Sequence, residues 1–266
     1  MRTPEAAFDL RAAMSEELRA AITELDSCAQ SEGALHRCRV HVKRARALAR
    51  VGRACAPGLS TVFNDTARGV MRTLGHARDM GALAETANKI SMTARGKTAA
   101  ALKALADGLE AERAASEALN ADSARAGLKD LLALAQVWPE ASLRQIRRGG
   151  ERIARRARRA YKGAQSDAET ARRHVWRKRE KDRLYAAVLL EGVWPAPVRR
   201  KAGAKLGDLL GRERNAALLL ERIEAAPALV GEGKAPQRAA KALRKAHRKL
   251  ARRADALGAE LHAGGA

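Results

Sequence analysis

The sequence predicts an all-α fold made of two similar, four-helix-type bundles, and three observations support this. Helix-forming Ala, Leu, Arg, Lys and Glu dominate the 266 residues, and runs of β-branched residues are absent. The seven prolines stand at the ends of periodic segments, where a missing backbone N–H group costs least. A basic phrase also occurs twice, 138 residues apart, and such a repeat is typical of a duplicated fold.

The helices follow in order from apolar residues at three- and four-residue spacing between these breaks. An acidic first helix comes after Pro4, the basic phrase occupies the second, and the third begins after Pro57. In the first half we expect helices over residues 4–29, 34–55, 58–74, 76–94, 97–121 and 123–137. In the second half, which opens after Pro139, we expect them over 140–163, 166–193, 196–210, 212–226 and 236–262.

The repeated phrase carries His, Arg and Lys at offsets of 0, 3 and 7 residues, which places the three side chains on one helix face. In the two copies these residues are His36, Arg39 and Lys43, then His174, Arg177 and Lys181. A proline follows each histidine after 21 residues, at Pro57 and Pro195. A helix face that carries only cations needs an anionic partner or bulk water. Two matching faces in one chain indicate that they belong to a single anion-binding site.

A second phrase, Leu-Gly followed by arginine, comes after each basic phrase. We expect one helix to end and the next to begin at Gly75 and at Gly211, because glycine adopts the positive φ of a helix C-terminus without steric strain. The recurrence of these glycine and proline positions predicts two bundle repeats, residues 1–122 and 123–266, packed as a pseudo-symmetric pair.

These phrases resemble those of the CHAD family, the conserved histidine α-helical domain, and the resemblance covers nearly the whole chain. The first copy matches at His36, Arg39, Val40, Lys43, Arg44, Arg46, Leu74, Gly75, Arg78 and Asp79. The second copy matches at His174, Trp176, Arg177, Lys178, Lys181, Tyr185, Leu210, Gly211, Arg214 and Asn215. The resemblance implies two bundles about a pseudo-twofold axis and the binding of inorganic polyphosphate in a basic central channel.

Two positions depart from the family pattern. Asn215 stands where an acidic residue is usual, and Leu184 stands where the second basic stripe would otherwise continue. We therefore expect fewer phosphate contacts from the helix that carries the second phrase. Arg78, Asp79 and Arg214 are interpreted as an internal ion pair or helix cap rather than as a catalytic group.

Three basic stripes follow helical spacing, in helices 34–55 and 140–163 and in the C-terminal helix. Cations three and four residues apart recur about every 5–6 Å, so a linear phosphate chain would meet one at each turn. The residues that we expect to bind polyphosphate are His36, Arg39, Lys43, Arg44, Arg46, Arg50, Arg148, Arg152, Arg155, Arg159, Lys162, His174, Arg177, Lys178, Lys181, Lys241, Lys245 and Arg248. The expected site is a basic groove or pore between the bundles, lined by helices 34–55, 140–163 and 166–193.

Composition supports an anionic partner. The chain carries 52 Lys and Arg against 30 Asp and Glu, a formal charge of +22. Residues 1–139 hold 20 basic and 16 acidic side chains, whereas residues 140–266 hold 32 and 14. This asymmetry favours a polyanion over the plainer alternative of a basic, solvated surface. Aromatic residues make up only 3%, too few to stack many bases, so nucleic acid is the second choice of partner.

Signatures of catalysis and of metal binding are missing. The sequence has no glycine-rich phosphate loop, no nucleophile elbow, no His-Glu-x-x-His phrase and no carboxylate cluster for Mg²⁺. We therefore expect a non-enzymatic binding protein without metal or cofactor. A metal-dependent polyphosphate or triphosphate hydrolase, and more weakly a scaffold for an acidic protein, remain as alternatives.

Cysteine usage and hydropathy bear on the location of the chain. Cys28, Cys38 and Cys55 form no CxxC pair and are expected to be small core or boundary residues. No apolar segment approaches the length needed to span a bilayer. We expect a cytoplasmic protein without membrane contact, and the family resemblance implies an association with polyphosphate granules.

Overall fold

Every regular element is a helix in this computed structural model, which describes residues 8–28, 31, 33–115, 120–166 and 169–263. The α-helices in these ranges are α1 (Leu10–Asp26), α2 (Ala34–Val51), α3 (Pro57–Thr73), α4 (His76–Ser91), α5 (Gly96–Ala115), α6 (Ala121–Gln136), α7 (Leu143–Ser166), α8 (Thr170–Leu189), α9 (Arg200–Ala225) and α10 (Ala235–His262). Short 3₁₀ turns follow α2, α8 and α9, at Gly52–Ala54, Glu191–Val193 and Pro227–Val230. The prediction of an all-α fold is confirmed.

Local sequence explains where several helices begin. The Asp9 side chain caps α1 by accepting a hydrogen bond from the backbone N–H of Ala12 at 2.9 Å. Asn120 caps α6 in the same way through the N–H of Ser123. Pro57 lies in the first turn of α3, where it interrupts no helical hydrogen bond. The predicted start of the first helix, at residue 4, lies outside the described residues.

The prediction that Gly211 separates two helices is wrong. The sequence predicts helices over 196–210 and 212–226, but Gly211 lies inside the continuous helix α9. Leu206 and Leu219, on either side of it, are both fully buried. Burial of this apolar face outweighs the cost of about 1 kcal/mol for a glycine in a helix interior.

Gly75 does lie between two helices, as predicted, but for a different physical reason. Its φ is not positive, whereas glycines with positive φ among the described residues are Gly33, Gly96, Gly231 and Gly233. A Cβ at Gly75 would lie 2.9 Å from the carbonyl oxygen of Arg72, closer than real Cβ atoms approach. Glycine is therefore needed here for space and not for an unusual backbone conformation.

The described residues form two compact units whose segments alternate along the chain. Unit 1 gathers the described parts of Met1–Gly75, Leu119–Arg159 and Lys178–Arg200. Unit 2 gathers the described parts of His76–Ala118, Ala160–Arg177 and Lys201–Ala266. Helices α7 and α8 thus contribute residues to both units. The bundle repeats predicted over residues 1–122 and 123–266 are inferred from a duplication in the sequence. Their boundary and their pseudo-symmetry stay predictions.

The apolar core of unit 1 brings two basic helices together. Trp138 is fully buried and packs edge-on against Phe63, with ring centroids 6.0 Å apart. A Cβ at Gly149 of α7 would overlap the carbonyl group of Val51 at the end of α2. Because glycine removes this obstacle, α7 lies directly against the end of α2.

Unit 2 contains two apolar clusters. One joins α4 and α5 to α9 and α10, with Leu102 and Leu243 among its buried members. The other surrounds the fully buried Trp176 and includes Leu210 of α9. A Cβ at Gly258 of α10 would lie 2.7 Å from the Trp176 ring, so glycine allows α10 to pack on the tryptophan. These clusters hold α4, α9 and α10 side by side.

The cysteines are free thiols at the core and its boundary, as expected. Cys38 is buried in unit 1, and Cys28 and Cys55 are half-buried. Burial raises the pKa of the Cys38 thiol to about 12, so this side chain behaves as a small apolar residue at neutral pH.

Candidate anion-binding site

Arg39, from the first basic phrase, is buried and joins α2 to the end of α3. Its guanidinium donates hydrogen bonds to the backbone carbonyl groups of Met71, at 3.2 Å, and of Leu74. Gly75 leaves room for this contact, since a Cβ there would lie 3.4 Å from Arg39 Nη1. The arginine therefore satisfies carbonyl groups at a helix end, where intrahelical partners are missing.

Further along α2, two side chains contact α1 through one carboxylate. His41 Nδ1 lies 2.6 Å from Glu17 Oε2, and Arg44 Nη1 lies 3.5 Å from Glu17 Oε1. Glu17 is itself buried. The predicted site residue Arg44 thus has a carboxylate partner inside unit 1. The other two predicted cations of the early part of α2 differ in exposure, because His36 is exposed and Lys43 is half-buried.

Six arginines gather near the end of α2 in unit 1, and we call this group the arginine cluster. They come from α2, the 3₁₀ turn after it, α7 and α8: Arg46, Arg50, Arg53, Arg152, Arg156 and Arg179. Arg50 forms an ion pair with Asp182 of α8 at 2.8 Å, and Arg179 lies 3.5 Å from the same carboxylate. Arg152 donates to the backbone carbonyl of Arg50 at 2.9 Å, which ties α7 to the end of α2.

The cluster holds more positive charge than its carboxylate can balance. Among the described residues, the carboxylate bonded within the cluster is Asp182, which pairs with Arg50 and Arg179. Asp65 also acts on Arg46, but it is itself paired with Arg68. Burial and, after it, repulsion from Arg50 together lower the pKa of Arg46 to about 10. Burial likewise lowers the pKa values of Arg50, Arg152 and Arg156, with repulsion between cluster members as a further cause. An anion placed among these groups would relieve the repulsion.

The chemistry of the cluster suits phosphate oxygens. A guanidinium group presents a planar fork of N–H donors that binds two oxygens at once and is charged at neutral pH. Arg53 and Arg156 are exposed, and Arg50 keeps 21% of its side chain exposed. A ligand can therefore reach the cluster from solvent, while its partly desolvated base strengthens the attraction.

The remaining predicted residues of α7 lie on the surface. All four are exposed: Arg148, Arg155, Arg159 and Lys162. Arg155 lies 3.5 Å from Glu151, one turn earlier, whereas the other three have no carboxylate within ion-pair distance in the described ranges. These exposed side chains are accessible to a ligand from solvent.

The predicted residues of α8 are divided between the units. His174 and Arg177 belong to unit 2, whereas Lys178 and Lys181 belong to unit 1. His174 lines a small cavity of unit 2, and Arg177 lies beside Gly211, where a Cβ would stand 3.9 Å from its Nε. Lys178 is exposed and Lys181 half-buried. Both arginines of the repeated phrase thus lie next to the glycine of the second phrase in their own unit.

Arg173, one residue before the second phrase, forms a buried ion-pair network in unit 2. Its guanidinium binds both oxygens of Glu213, one of them at 3.0 Å, and Asp255 at 2.9 Å. It also lies over the ring of Trp176, 5.4 Å from the centroid. Burial lowers the pKa of Arg173, but the hydrogen bond and charge of Glu213, followed by Asp255, raise it above its usual value. The charge of Arg173 is therefore balanced by carboxylates of the protein, and its side chain packs in the interior of unit 2.

The departure from the family pattern at Asn215 has a structural role. Asn215 Nδ2 donates to the carbonyl oxygen of Ala82 at 3.1 Å and to Thr86 Oγ1 at 3.0 Å, which ties α9 to α4. Arg214 lies 3.5 Å from Glu221 on the same helix. The side chains of Arg78 and Asp79, interpreted with Arg214 as an ion pair or cap, lie outside the described residues. The predicted cations of α10 are all exposed: Lys241, Lys245 and Arg248.

Sequence reasoning missed three members of the arginine cluster: Arg53, Arg156 and Arg179. Arg156 follows Arg152 by four residues, and this spacing was a usable signal. Arg53 follows Arg50 by three residues and so continues the spacing of the basic stripe, although it lies in the turn beyond the end of α2. Arg179 lies off the face that the His-Arg-Lys offsets define and had no such signal.

Two further features concern the described part of the chain as a whole, namely possible metal ligands and membrane-spanning helices. In those ranges, no three His, Cys, Asp or Glu side chains are grouped as the ligands of a metal ion would be. None of the helices described above is both long and apolar enough to cross a membrane. The expected lack of metal, cofactor and catalytic activity stays a prediction.

These features define an all-α protein that keeps an excess of arginine charge partly inside its helical packing. The chain matches the family model of the CHAD domain over residues 12–224, and it belongs to the CHAD domain family. Its structure is similar to the crystal structure of the CHAD domain from the plant Ricinus communis, with 21% sequence identity and a TM-score of 0.58. That match covers 100% of this chain and 97% of the plant chain, and at this identity it shows the fold. No curated protein matches the chain in sequence.

Proposed function

We propose that this chain binds inorganic polyphosphate without cleaving it and that the arginine cluster of unit 1 contacts the polymer. The observation that carries the proposal is the excess of guanidinium charge at the cluster, where the pKa of Arg46 is lowered to about 10. Such unbalanced charge destabilises the fold unless a ligand of opposite charge is present, and perturbed groups of this kind gather at functional sites.

The nature of the ligand follows from composition. Polyphosphate offers a negative charge on every phosphate and no aromatic ring, which suits a chain with 3% aromatic residues. The exposed Arg148 and Arg159 of α7 would extend the contact along the polymer beyond the cluster. Association with polyphosphate granules would follow from the same binding, and co-localisation of a fluorescent fusion with stained granules tests it.

The direct test is a competition titration of labelled long-chain polyphosphate against DNA and heparin at about 150 mM salt. We expect DNA to compete poorly at equal phosphate concentration. The logarithm of the affinity should fall with the logarithm of salt by about 0.7 for each phosphate neutralised, by analogy with single-stranded nucleic acid. Equal competition by DNA would favour a nucleic-acid-binding protein, and orthophosphate release with Mg²⁺ or Mn²⁺ would favour a hydrolase.

A double variant tests the role of the cluster. Arg156→Gln with Arg179→Gln removes two cluster cations and leaves the ion pair between Arg50 and Asp182 in place. Polyphosphate affinity should fall by about tenfold or more, equivalent to about 1.4 kcal/mol. The control is the double variant Arg19→Gln and Lys129→Gln.

The control makes the same change in charge on unit 1, because Arg19 of α1 and Lys129 of α6 are exposed and lie outside the cluster. We expect its affinity to stay within about twofold of the unmodified protein, since isolated surface charges contribute little. If both double variants weaken binding equally, general surface charge explains the binding and the cluster does not.

A further inference from the structure

A cleft in unit 2 is a second place where cations gather, and it shares no residue with the arginine cluster. Its volume is about 460 Å³, within the range of small-molecule sites. Its walls come from α4, the turn before α5, α5 itself, α9 and α10. The cations that line it are Lys89, Arg95, Arg212, Lys245, Lys249 and Arg253. No carboxylate is among the described residues that line this unit 2 cleft.

Most of these cations are not balanced by the protein. Lys245, Lys249 and Arg253 follow one another at four-residue spacing, so one face of α10 presents three positive charges to the cleft. Together with Arg95, they have no carboxylate within ion-pair distance in the part of the chain that the structure describes. Arg212 lies 3.8 Å from the exposed Asp208, which is outside the cleft.

Neutral groups complete the cleft. Thr98 lies in the first turn of α5, where backbone N–H groups have no intrahelical acceptor. The hydroxyl of Thr86 is held in place, since it donates to the carbonyl of Ala82 at 2.8 Å and accepts from Asn215. The buried Ile90 forms part of an apolar floor. No aromatic side chain is among the described lining residues, so the cleft has nothing on which a base would stack.

We propose that the unit 2 cleft binds a triphosphate group, contacted by the three cations of α10 and by Arg95 from the turn before α5. A single phosphate would leave most of these cations unbalanced, whereas a triphosphate carries enough charge to meet them and is small enough for the cleft. The group has two sources, free tripolyphosphate and a nucleoside triphosphate. Because no aromatic side chain is among the lining residues that the structure describes, the triphosphate group would supply the binding. This inference goes beyond the proposed function and rests on residues of unit 2 only.

The test is calorimetric titration of the full chain with tripolyphosphate and, in a second arm, with ATP. The cleft variant Lys249→Gln with Arg253→Gln removes two of its cations. Its affinity for tripolyphosphate should fall by about tenfold or more. The matched control, Lys205→Gln with Arg252→Gln, removes one lysine and one arginine from exposed positions of unit 2 outside the cleft. Its affinity should stay within about twofold. Circular dichroism confirms that both variants remain helical.

The two ligands should bind with affinities within about tenfold of each other. The proposal is overturned if the cleft variant and its control lose the same affinity, or if neither loses any. It is also overturned if ATP binds more than about tenfold tighter than tripolyphosphate, because the base would then be recognised. If the unit 1 variant at Arg156 and Arg179 binds long-chain polyphosphate normally, the proposed function fails while the result for the cleft stands.

Discussion

Buried arginines meet opposite surroundings in the two units. In unit 2, Arg173 is bonded to Glu213 and Asp255, and its pKa is raised because these carboxylates outweigh burial. In unit 1, burial and neighbouring arginines lower the pKa of Arg46 to about 10, and Asp182 is shared by two other arginines. The difference teaches that the balance of charge around an arginine, and not its burial, separates a packing role from a candidate binding role.

The largest effect should come from breaking the balanced network of unit 2. Glu213→Gln leaves Arg173 buried with only Asp255 as a carboxylate partner, so the free energy of unfolding should fall by about 3–5 kcal/mol. Urea unfolding followed by circular dichroism measures this loss. Asp208→Asn, on the exposed face of the same helix, is the control and should change the value by no more than about 0.5 kcal/mol. A loss at Glu213 as small as that of the control would contradict the comparison.

A smaller effect is expected from removing the carboxylate of the unit 1 cluster. Asp182→Asn leaves the six arginines without a bonded carboxylate, and the free energy of unfolding should fall by about 1–3 kcal/mol. Polyphosphate should bind this variant more tightly, because the polymer replaces the lost negative charge, and saturating polyphosphate should restore its stability. Thermal unfolding with and without polyphosphate measures both effects.

The control for this variant is Asp130→Asn, which removes an exposed carboxylate of α6 in unit 1 outside the cluster. Its stability should change by about 0.5 kcal/mol or less. An Asp182→Asn protein that is less stable yet binds polyphosphate no better than the unmodified protein would argue against an anion site at the cluster.

The smallest effect on stability is expected at Arg46. Arg46→Met should leave the free energy of unfolding unchanged or raise it by about 1 kcal/mol, because an apolar side chain of similar size removes a half-buried charge that is repelled by its neighbours. Polyphosphate binding should weaken at the same time. A clear loss of stability would mean that Arg46 belongs to the packing, as Arg173 does.

The pH dependence of the same variant sharpens this test. Since the pKa of Arg46 is about 10 in the folded chain and higher in the unfolded chain, the unfolded chain binds more protons above that pH. The destabilising contribution of Arg46 is therefore complete at neutral pH and is relieved as pH rises through about 10. The difference in unfolding free energy between Arg46→Met and the unmodified protein should shrink between about pH 9 and pH 11.

Much of the fold could be predicted from the sequence, because helix propensity and proline placement act locally. The second helix, for example, was expected from residue 34 and does begin at Ala34. Gly211 was misread because the burial of leucines on both sides of it depends on tertiary contacts, which a local rule does not contain. Gly75 does lie between two helices as the sequence predicts, although its constraint is the space left by the carbonyl oxygen of Arg72 and not its own backbone angle.

The candidate site was less accessible to sequence reasoning. Helical spacing put Arg39, Arg44 and Arg46 on one basic helix, but their surroundings differ: backbone carbonyls, Glu17 and the arginine cluster. These partners lie on other helices and are brought close by packing, as when Gly149 lets α7 approach α2. Periodicity can therefore indicate which helices are basic, whereas the role of each cation depends on the neighbouring helix.

The contact between Arg39 and the end of α3 has a consequence for how sequences of this kind are interpreted. The arginine of the first phrase and the glycine of the second meet at one joint, where Arg39 bonds carbonyl groups at the end of α3 and Gly75 leaves room beside them. A related chain that kept this joint and replaced the arginines of the cluster would retain the scaffold and lose its ligand. Arg39 and Gly75 thus mark the architecture, whereas Arg46 is the one matching residue of the two phrases that also belongs to the cluster.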